Sequence, residues 1–240
     1  MEIYQVGKEQ MKDLSIIIPV FNKWNFTKSC LNDLGKLPAV AHDIIIIDNA
    51  STDETQAEMT KLSQVNPLIR YIRNEENTFH SKACNQGFRM AWGENVLFLN
   101  NDVRVKNNHD TWTQTIINAC KSTNGLVGPT MGMLDNQLNF VREANQQLTG
   151  HSYLGGWCIA AKKEVWKKLA VDGQDQVWNE EFPFYFNDTD LSFRARKSKT
   201  PITWIDVPEI AHFGKISAAQ INIPKLYKEG RAVFLKKWSK

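Results

Sequence analysis

Three polar residues, Asn100-Asn101-Asp102, close an apolar run at residues 95–100 (NVLFLN) and follow it. A carboxylate just past the end of a buried strand is well placed to ligate a hard divalent cation such as Mg2+ or Mn2+. Such ions take few protein oxygens and complete their shells with phosphate and water. The alternative is a plain turn after a strand. His212 offers a second ligand to a carboxylate-poor site, although a lone loop histidine is otherwise surface or core filler. Asp188 and Asp190 open a helix in NDTDLSFRAR. Acids in a first turn favour the helix macrodipole, and Asp190 stands four residues before Arg194. The chemical reading is a general base at Asp188, beside an aromatic wall of Phe182, Phe184, Tyr185 and Phe186. Partial desolvation there raises a carboxyl pKa towards a useful range. Asp48, followed by Asn49-Ala50-Ser51, is either a helix-entry turn or a carboxylate accepting hydrogen bonds from a nucleobase or ribose. Trp157 and Trp178 flank the expected cleft, where either could stack on a sugar ring.

These residues need elements to position them, and the first half alternates between two periodicities. Residues 14–20 (LSIIIPV) form a continuous apolar run, the pattern of a strand buried on both faces. Residues 25–34 read as a helix with Phe26, Cys30, Leu31 and Leu34 on one side. Residues 43–48 (DIIIID) make a second strand, and Ser51 with Glu54 forms a capping box for a helix to about residue 64. A third strand at 68–73, a helix at about 81–91 and a fourth strand at 95–100 follow. This alternation predicts βαβ units and a mostly parallel sheet, whose ligands sit beyond the carboxyl ends of the strands. Asn22, Asp48 and Asn100-Asn101-Asp102 stand at three of those ends.

The second half is less regular. Residues 111–121 read as a helix with Trp112, Ile116, Ile117 and Cys120 inward, and 126–128 as a strand. Residues 131–143 read as a hairpin around Asp135-Asn136. Gly155-Gly156 precede an apolar run at 157–161 and a helix at 163–169. A last strand is expected at 203–206, with His212 in the loop beyond.

Composition narrows the class. The chain has 240 residues, and its formal net charge of +3 with no recurring basic block gives no support for nucleic-acid binding. Cys30, Cys84, Cys120 and Cys158 lie far apart, as reduced core thiols do, rather than as zinc or disulfide pairs. The first residues show no apolar leader, and no run reaches membrane-span length, so the expected compartment is the cytoplasm. YKEGRAVFLKKWSK near the end is basic and amphipathic. It could graze an anionic membrane from the cytoplasmic face, or be a packed or solvated helix.

In this order, several segments resemble family 2 glycosyltransferases of the GT-A fold, especially bacterial rhamnosyltransferase-like members. They are SIIIPVFN (15–22), IIIDNASTDET (45–55), ACNQGF (83–88), FLNNDV (98–103), LGGWCIAAKKEVW (154–166), NEEFPFYFNDTDLSFRAR (179–196) and HFGKIS (212–217). The resemblance implies an α/β fold, a Rossmann-like, mostly parallel central sheet flanked by helices, with a smaller irregular acceptor-side region. One domain over residues 1–240 is expected, with a nucleotide-binding half at about 14–103, an acceptor-side half at about 104–217 and a C-terminal helix at about 222–238.

It implies further that Pro19, Phe21, Asn22, Asp48, Asn85 and Asn101 line the nucleotide. Asp102 and His212 would hold Mn2+ or Mg2+, Asp188 would be the catalytic base, and Trp157 and Asp190 would face the donor or acceptor sugar. The implied reaction is inverting, metal-dependent hexosyl or rhamnosyl transfer. A nucleoside-diphosphate sugar, UDP- or dTDP-linked by preference, would give its sugar to a hydroxyl of a glycan or lipid-linked glycan. An oligomer is compatible with the same reading.

Three positions depart from the family pattern. Asn100 replaces the first acid of the DXD motif, which leaves more of the metal binding to Asp102. Asn187 replaces a Glu, removing a negative charge that would make Asp188 more basic. Phe79 stands where many members have Gly. The two amides leave room for a second reading, a non-catalytic sugar-nucleotide-binding or scaffold subunit of a glycan-assembly complex. A nucleotidyltransferase would need a Gly-rich basic loop after the first strand, and PVFNKWNF is not one.

Overall fold

The computed structural model describes residues 12–35, 37, 42–106, 111–214 and 223–239. The expected alternation is present: β1 (Leu14–Val20), α1 (Trp24–Leu34), β2 (His42–Asp48), α2 (Thr55–Val65), β3 (Ile69–Arg73), α3 (Phe79–Met90) and β4 (Asn95–Leu99). After a short β5 (Val103–Val105) come α4 (Thr111–Thr123), β6 (Leu126–Gly128), β7 (Met131–Leu134), β8 (Phe140–Ala144), β9 (Ser152–Leu154), β10 (Cys158–Lys162) and α5 (Lys163–Leu169). The described chain closes with α6 (Asn187–Lys197), β11 (Ile202–Trp204), β12 (Ile210–His212) and α7 (Ile223–Trp238).

The main sheet has seven strands in the order β11-β6-β10-β4-β1-β2-β3. β1 pairs parallel with β2 and β4, β2 parallel with β3, and β6 parallel with β11. β10 is inserted antiparallel between β4 and β6, so residues beyond 103 supply strands to the same sheet as residues 14–99.

β1 lies inside the sheet, which is why its run lacks polar alternation. Ile16 and Ile18 face a core with Cys30, Leu31 and Leu34 of α1, Met59 of α2 and Trp112, Ile116 and Ile117 of α4. Ile17 faces the other way, onto Cys84 and Phe88 of α3, Trp166 of α5 and Leu191 of α6. Each such side chain contributes about 1.5–3 kcal/mol on burial, and covering both faces fixes which strand ends open to solvent. The four cysteines are free and buried.

Several local expectations need correction. The capping box at Ser51 and Glu54 is absent, because Glu54 makes no side-chain cap and Ser51 Oγ instead accepts the Asn22 N–H at 2.7 Å. α3 begins two residues earlier than periodicity indicates, at Phe79. The strand expected at 203–206 is β11 at Ile202–Trp204, and it is not the last. His212 lies on a further strand, β12, paired antiparallel with β5, so that His212 opposes Val103. Strands of three residues are too short for a periodic signal.

The hairpin is β7–β8. Asp135 Oδ1 closes its turn by accepting the N–H groups of Gln137 and Asn139 at 2.9 and 2.8 Å. β9 pairs on the other side of β7, giving a second sheet, β8-β7-β9. α7 packs its apolar side inward, with Phe234 buried against Phe182, Phe186 and Phe193. Lys228 and Lys236 remain exposed on its other side. No described helix is long and apolar enough to cross a membrane. Of the HFGKIS segment, residues 215–217 lie outside the described residues, as do residues 1–11.

Candidate functional site

The carboxyl ends of β1 and β2 are tied by one network. Asn22, in the left-handed region at φ 57°, accepts the Thr52 N–H on its side-chain oxygen at 2.6 Å. Its own N–H reaches Ser51 Oγ, and the Ser51 N–H donates to Asp48 Oδ1 at 2.8 Å. The second Asp48 oxygen accepts from Tyr71 Oη and from Arg73, both at 2.7 Å. Asp48 has no exposed surface. Burial first, then the Asp48 carboxylate, pushes the Tyr71 phenol well above its ordinary range. Pro19 and Phe21 are half-buried beside this network. The Phe79 departure has a backbone meaning: φ is 60° there, a conformation that favours glycine, and the Phe79 carbonyl accepts from Asn49 Nδ2 at 3.1 Å.

The end of β4 forms the second part. Asn101 is buried and donates to Thr27 Oγ1 of α1 at 2.9 Å. The Asp102 carbonyl accepts the Phe213 N–H, continuing the β5–β12 pairing that delivers His212. His212 Nε2 lies 3.1 Å from Asp102 Oδ1 and 3.3 Å from the Asn100 side-chain nitrogen. The Asp102–His212 contact lacks hydrogen-bond alignment, and Asp102 Oδ1 is buried without a hydrogen-bond partner.

A buried carboxylate oxygen left unsatisfied beside an imidazole is costly unless another group completes it. No cluster of three or more His, Cys, Asp or Glu able to hold a metal occurs among the described residues. Two protein donors with open positions suit a cation that shares its shell with phosphate and water. The donor set fits Mn2+ or Mg2+. Trp157 stacks on His212, with ring centroids 4.9 Å apart and planes 4° from parallel.

The third part is the start of α6. Asp188 Oδ2 accepts the Gly156 N–H at 2.9 Å, and Oδ1 accepts the Thr189 N–H at 2.7 Å. Burial raises the Asp188 carboxyl above its ordinary value. The bonds from Gly156 and Thr189 oppose that rise, and Glu143 adds to it. Thus, although Asn187 brings no neighbouring charge, desolvation shifts Asp188 in the direction a general base needs. Asn187 Nδ2 reaches His80 Nδ1 at 3.1 Å and Ser81 Oγ at 3.2 Å. Burial pushes the His80 imidazole down to about 4, so it is neutral at physiological pH.

Gly156 and Trp157 join the two chemical groups. The Gly156 N–H holds Asp188, the Trp157 carbonyl accepts the Asn100 N–H at 2.9 Å, and the Trp157 ring carries His212. A side chain at 156 would place a Cβ 3.1 Å from Asp188 Cβ and 3.2 Å from Oδ2, which only glycine avoids.

Other expected site residues are engaged elsewhere. Asn85 is buried and exchanges hydrogen bonds with the backbone of Trp178, at 2.8 and 2.9 Å. Trp178 does not flank the cleft; it is buried against Phe98 and Trp166, because the Asn85 clamp turns it into the core. Asp190 is fully buried, bonded to Arg194 at 2.7 Å, Lys237 at 2.9 Å and Trp238 Nε1 at 3.0 Å. Tyr71, Arg73 and Thr27 escaped the sequence reading. For Tyr71 and Arg73 the available signal was alternation along β3 at the carboxyl end beside Asp48.

The sequence model of the family described as Glycosyl transferase family 2 matches residues 15–151. The Escherichia coli (strain K12) protein named as the uncharacterized glycosyltransferase YibD is 28% identical over 160 residues, covering 66% of this chain and 38% of YibD. Glycosyltransferase GlyG of Streptococcus pneumoniae serotype 4 is 24% identical over 95 residues, 40% of this chain and 32% of GlyG. The chain therefore spans well under half the length of these relatives. Among solved structures, GalNAc-T7 with UDP, GalNAc and Mn2+ superposes with a TM-score of 0.68 at 13% identity, over 84% of this chain and 43% of that one. The mannosyltransferase PcManGT of Pyrobaculum calidifontis, in complex with GDP-Man and Mn2+, gives 0.57 at 16% identity, over 92% and 64%. Both likenesses show the fold, that of the GT-A glycosyltransferases.

Proposed function

The chain belongs to glycosyl transferase family 2, and from that premise we propose that it moves a sugar from a nucleoside-diphosphate sugar to a hydroxyl of a glycan or lipid-linked glycan, inverting the anomeric carbon. The observation that carries this reading is the Asp188 carboxylate. It is buried, raised in pKa and held by the Gly156 N–H one residue from the Trp157 that carries His212. Asp188 takes the proton from the acceptor hydroxyl as that oxygen attacks. Asp102 and His212 are the residues that would hold Mn2+ or Mg2+, which when bound supplies positive charge for the leaving diphosphate. Support for the metal comes from the unsatisfied Asp102 oxygen and from the Mn2+ in the two solved relatives of this fold.

On the nucleotide side, Pro19, Phe21, Asn22 and Asn101 form the rim of the strand ends. Asp48 anchors Tyr71 and Arg73 there. In this reading Asn85 and Asp190 act from beneath, by shaping the cleft. UDP- and dTDP-linked hexoses and 6-deoxyhexoses are the first donors to test. Transfer to a lipid-linked acceptor would place the protein at the cytoplasmic face of a membrane.

Asn100 and Asn187 favour a second reading, a sugar-nucleotide-binding subunit without turnover. One panel separates the two: thermal shift with UDP-, dTDP- and GDP-sugars, with and without Mn2+, followed by donor hydrolysis. The proposal expects Mn2+-dependent stabilisation by one nucleotide class together with slow donor hydrolysis. Stabilisation without hydrolysis under any acceptor supports the binding subunit, and no stabilisation by any donor overturns both.

A further inference from the structure

The sheet β8-β7-β9 lies beside α6, where the Leu154 N–H of β9 donates to Ser192 Oγ at 3.1 Å. In its middle strand, Gly132 is paired with Glu143 of β8 on one side and Tyr153 of β9 on the other. Residues directly opposed across antiparallel strands point to the same face, so Glu143 and Tyr153 share one face with a gap between them where Gly132 has no side chain. Tyr153 fills that gap. A Cβ built on Gly132 would lie 2.2 Å from Tyr153 Cζ and 2.5 Å from its hydroxyl oxygen, so the ring crosses the middle strand towards β8. The hydroxyl therefore stops about one strand spacing, ~5 Å, from the strand that bears Glu143.

This row lies within electrostatic reach of Asp188, the proposed base, on the helix that β9 packs against. The Tyr153 phenol is raised by burial and then by the negative charges of Asp188 and Glu143, with Tyr227 contributing as well. Glu143 and Tyr153 of the sheet, Asp188 of α6 and Tyr227 of α7 thus lie near enough to act on one another electrostatically. Tyr227, 41% exposed on α7, offers an aromatic face, packed edge-on to Tyr185 at 5.6 Å and against Phe186 at 5.2 Å. Glu143 is exposed and forms no ion pair, and the Tyr153 hydroxyl makes no hydrogen bond, among the described residues. Open hydrogen-bonding groups beside exposed aromatic faces are what a sugar ring needs, hydroxyls at its edge and apolar C–H faces.

We propose that Glu143 and Tyr153 bind a neutral pyranose unit of the acceptor, Glu143 accepting from its hydroxyls and Tyr153 fixing its orientation so that one further hydroxyl meets Asp188. The assignment rests on the proposed transfer reaction and names its acceptor class. Because Glu143 is a carboxylate, an anionic acceptor such as a uronoside is disfavoured.

The test is ligand-observed NMR of methyl gluco-, galacto- and mannopyranosides, and of methyl glucuronide, on the full chain with UDP and Mn2+ present. At least one neutral glycoside should bind, and Glu143→Gln and Tyr153→Phe should each weaken it about tenfold. Methyl glucuronide should gain relative to the neutral sugars in Glu143→Gln. Melting curves within about 2 °C of wild type would show that both variants fold, and Tyr153→Phe, which keeps the ring over Gly132, guards against loss by misfolding. Binding that both variants retain unchanged, or absence of binding by every neutral glycoside, overturns the assignment. Glycoside binding without donor turnover would instead sink the transfer reaction and leave the sugar site standing.

Discussion

The indole of Trp157 lies parallel to the imidazole of His212 at 4.9 Å, while the Trp157 carbonyl holds the Asn100 N–H at the end of β4. One residue thus fixes both the ring of a proposed metal ligand and the turn that carries the other. Trp157→Ala should weaken Mn2+-dependent nucleotide binding about tenfold, the scale of losses seen when groups that orient metal ligands are removed. His212→Ala and Asp102→Ala should cost more. Calorimetric titration of UDP with and without Mn2+ checks the order; if Trp157→Ala binds as wild type does, the stacking has no role in metal binding.

Asp188 must be ionised to accept a proton, so transfer should rise with pH through its pKa. Burial places that limb above the ordinary carboxylate range. The same shift has a stability consequence. A carboxyl raised in the folded state contributes fully below its unfolded pKa of about 3.9 and loses that contribution as pH climbs through the folded value. At neutral pH the ionised side chain therefore weighs against folding. Asp188→Asn should lose transfer by at least ~100-fold and, lacking the titrating group, should lose less stability than wild type as pH rises towards neutral. A variant that transfers normally would remove Asp188 from the mechanism.

Gly156→Ala should act through Asp188. The new methyl would stand 3.1 Å from Asp188 Cβ and must displace it by a few tenths of an ångström. We expect kcat to fall about tenfold with donor KM little changed, since misplacing a catalytic group costs rate more than donor affinity. Equal losses in kcat and donor affinity would point to a wider collapse of the cleft.

Lys237 and Trp238 of α7 reach the buried Asp190 of α6, which retains Arg194 as its main ion pair. Lys237→Ala should cost roughly 1–2 kcal/mol, because one charge partner remains, and lower the melting temperature by roughly 2–8 °C. Lys236→Ala, on the exposed side of the same helix, should leave it nearly unchanged. Differential scanning calorimetry distinguishes them, and equal melting temperatures would show that Lys237 leaves Asp190 unaffected.

Much of this architecture was legible because burial on both faces writes a continuous apolar run, as in β1 and β2, and because Asp188 follows an aromatic loop into a helix. What escaped has no side-chain signature. β12 consists of three residues held by pairing with β5, and Gly156 acts through a backbone N–H and an absent Cβ. Asn85 and Asp190 carry the right chemistry for ligand contact, yet tertiary packing spends both on the protein itself. Type and spacing cannot distinguish an amide that binds a nucleotide from one that binds Trp178.

β10 enters the main sheet reversed, between β4 and β6. A chimaera joined near residue 103 would therefore not exchange acceptor recognition as a cassette. It would set a foreign β10 against β4 and a foreign residue where Trp166 packs on Phe98. Exchange of acceptor specificity between relatives should succeed only when β4 travels with the block from β6 to β11, or when loops such as the β7–β8 hairpin are grafted onto an intact sheet.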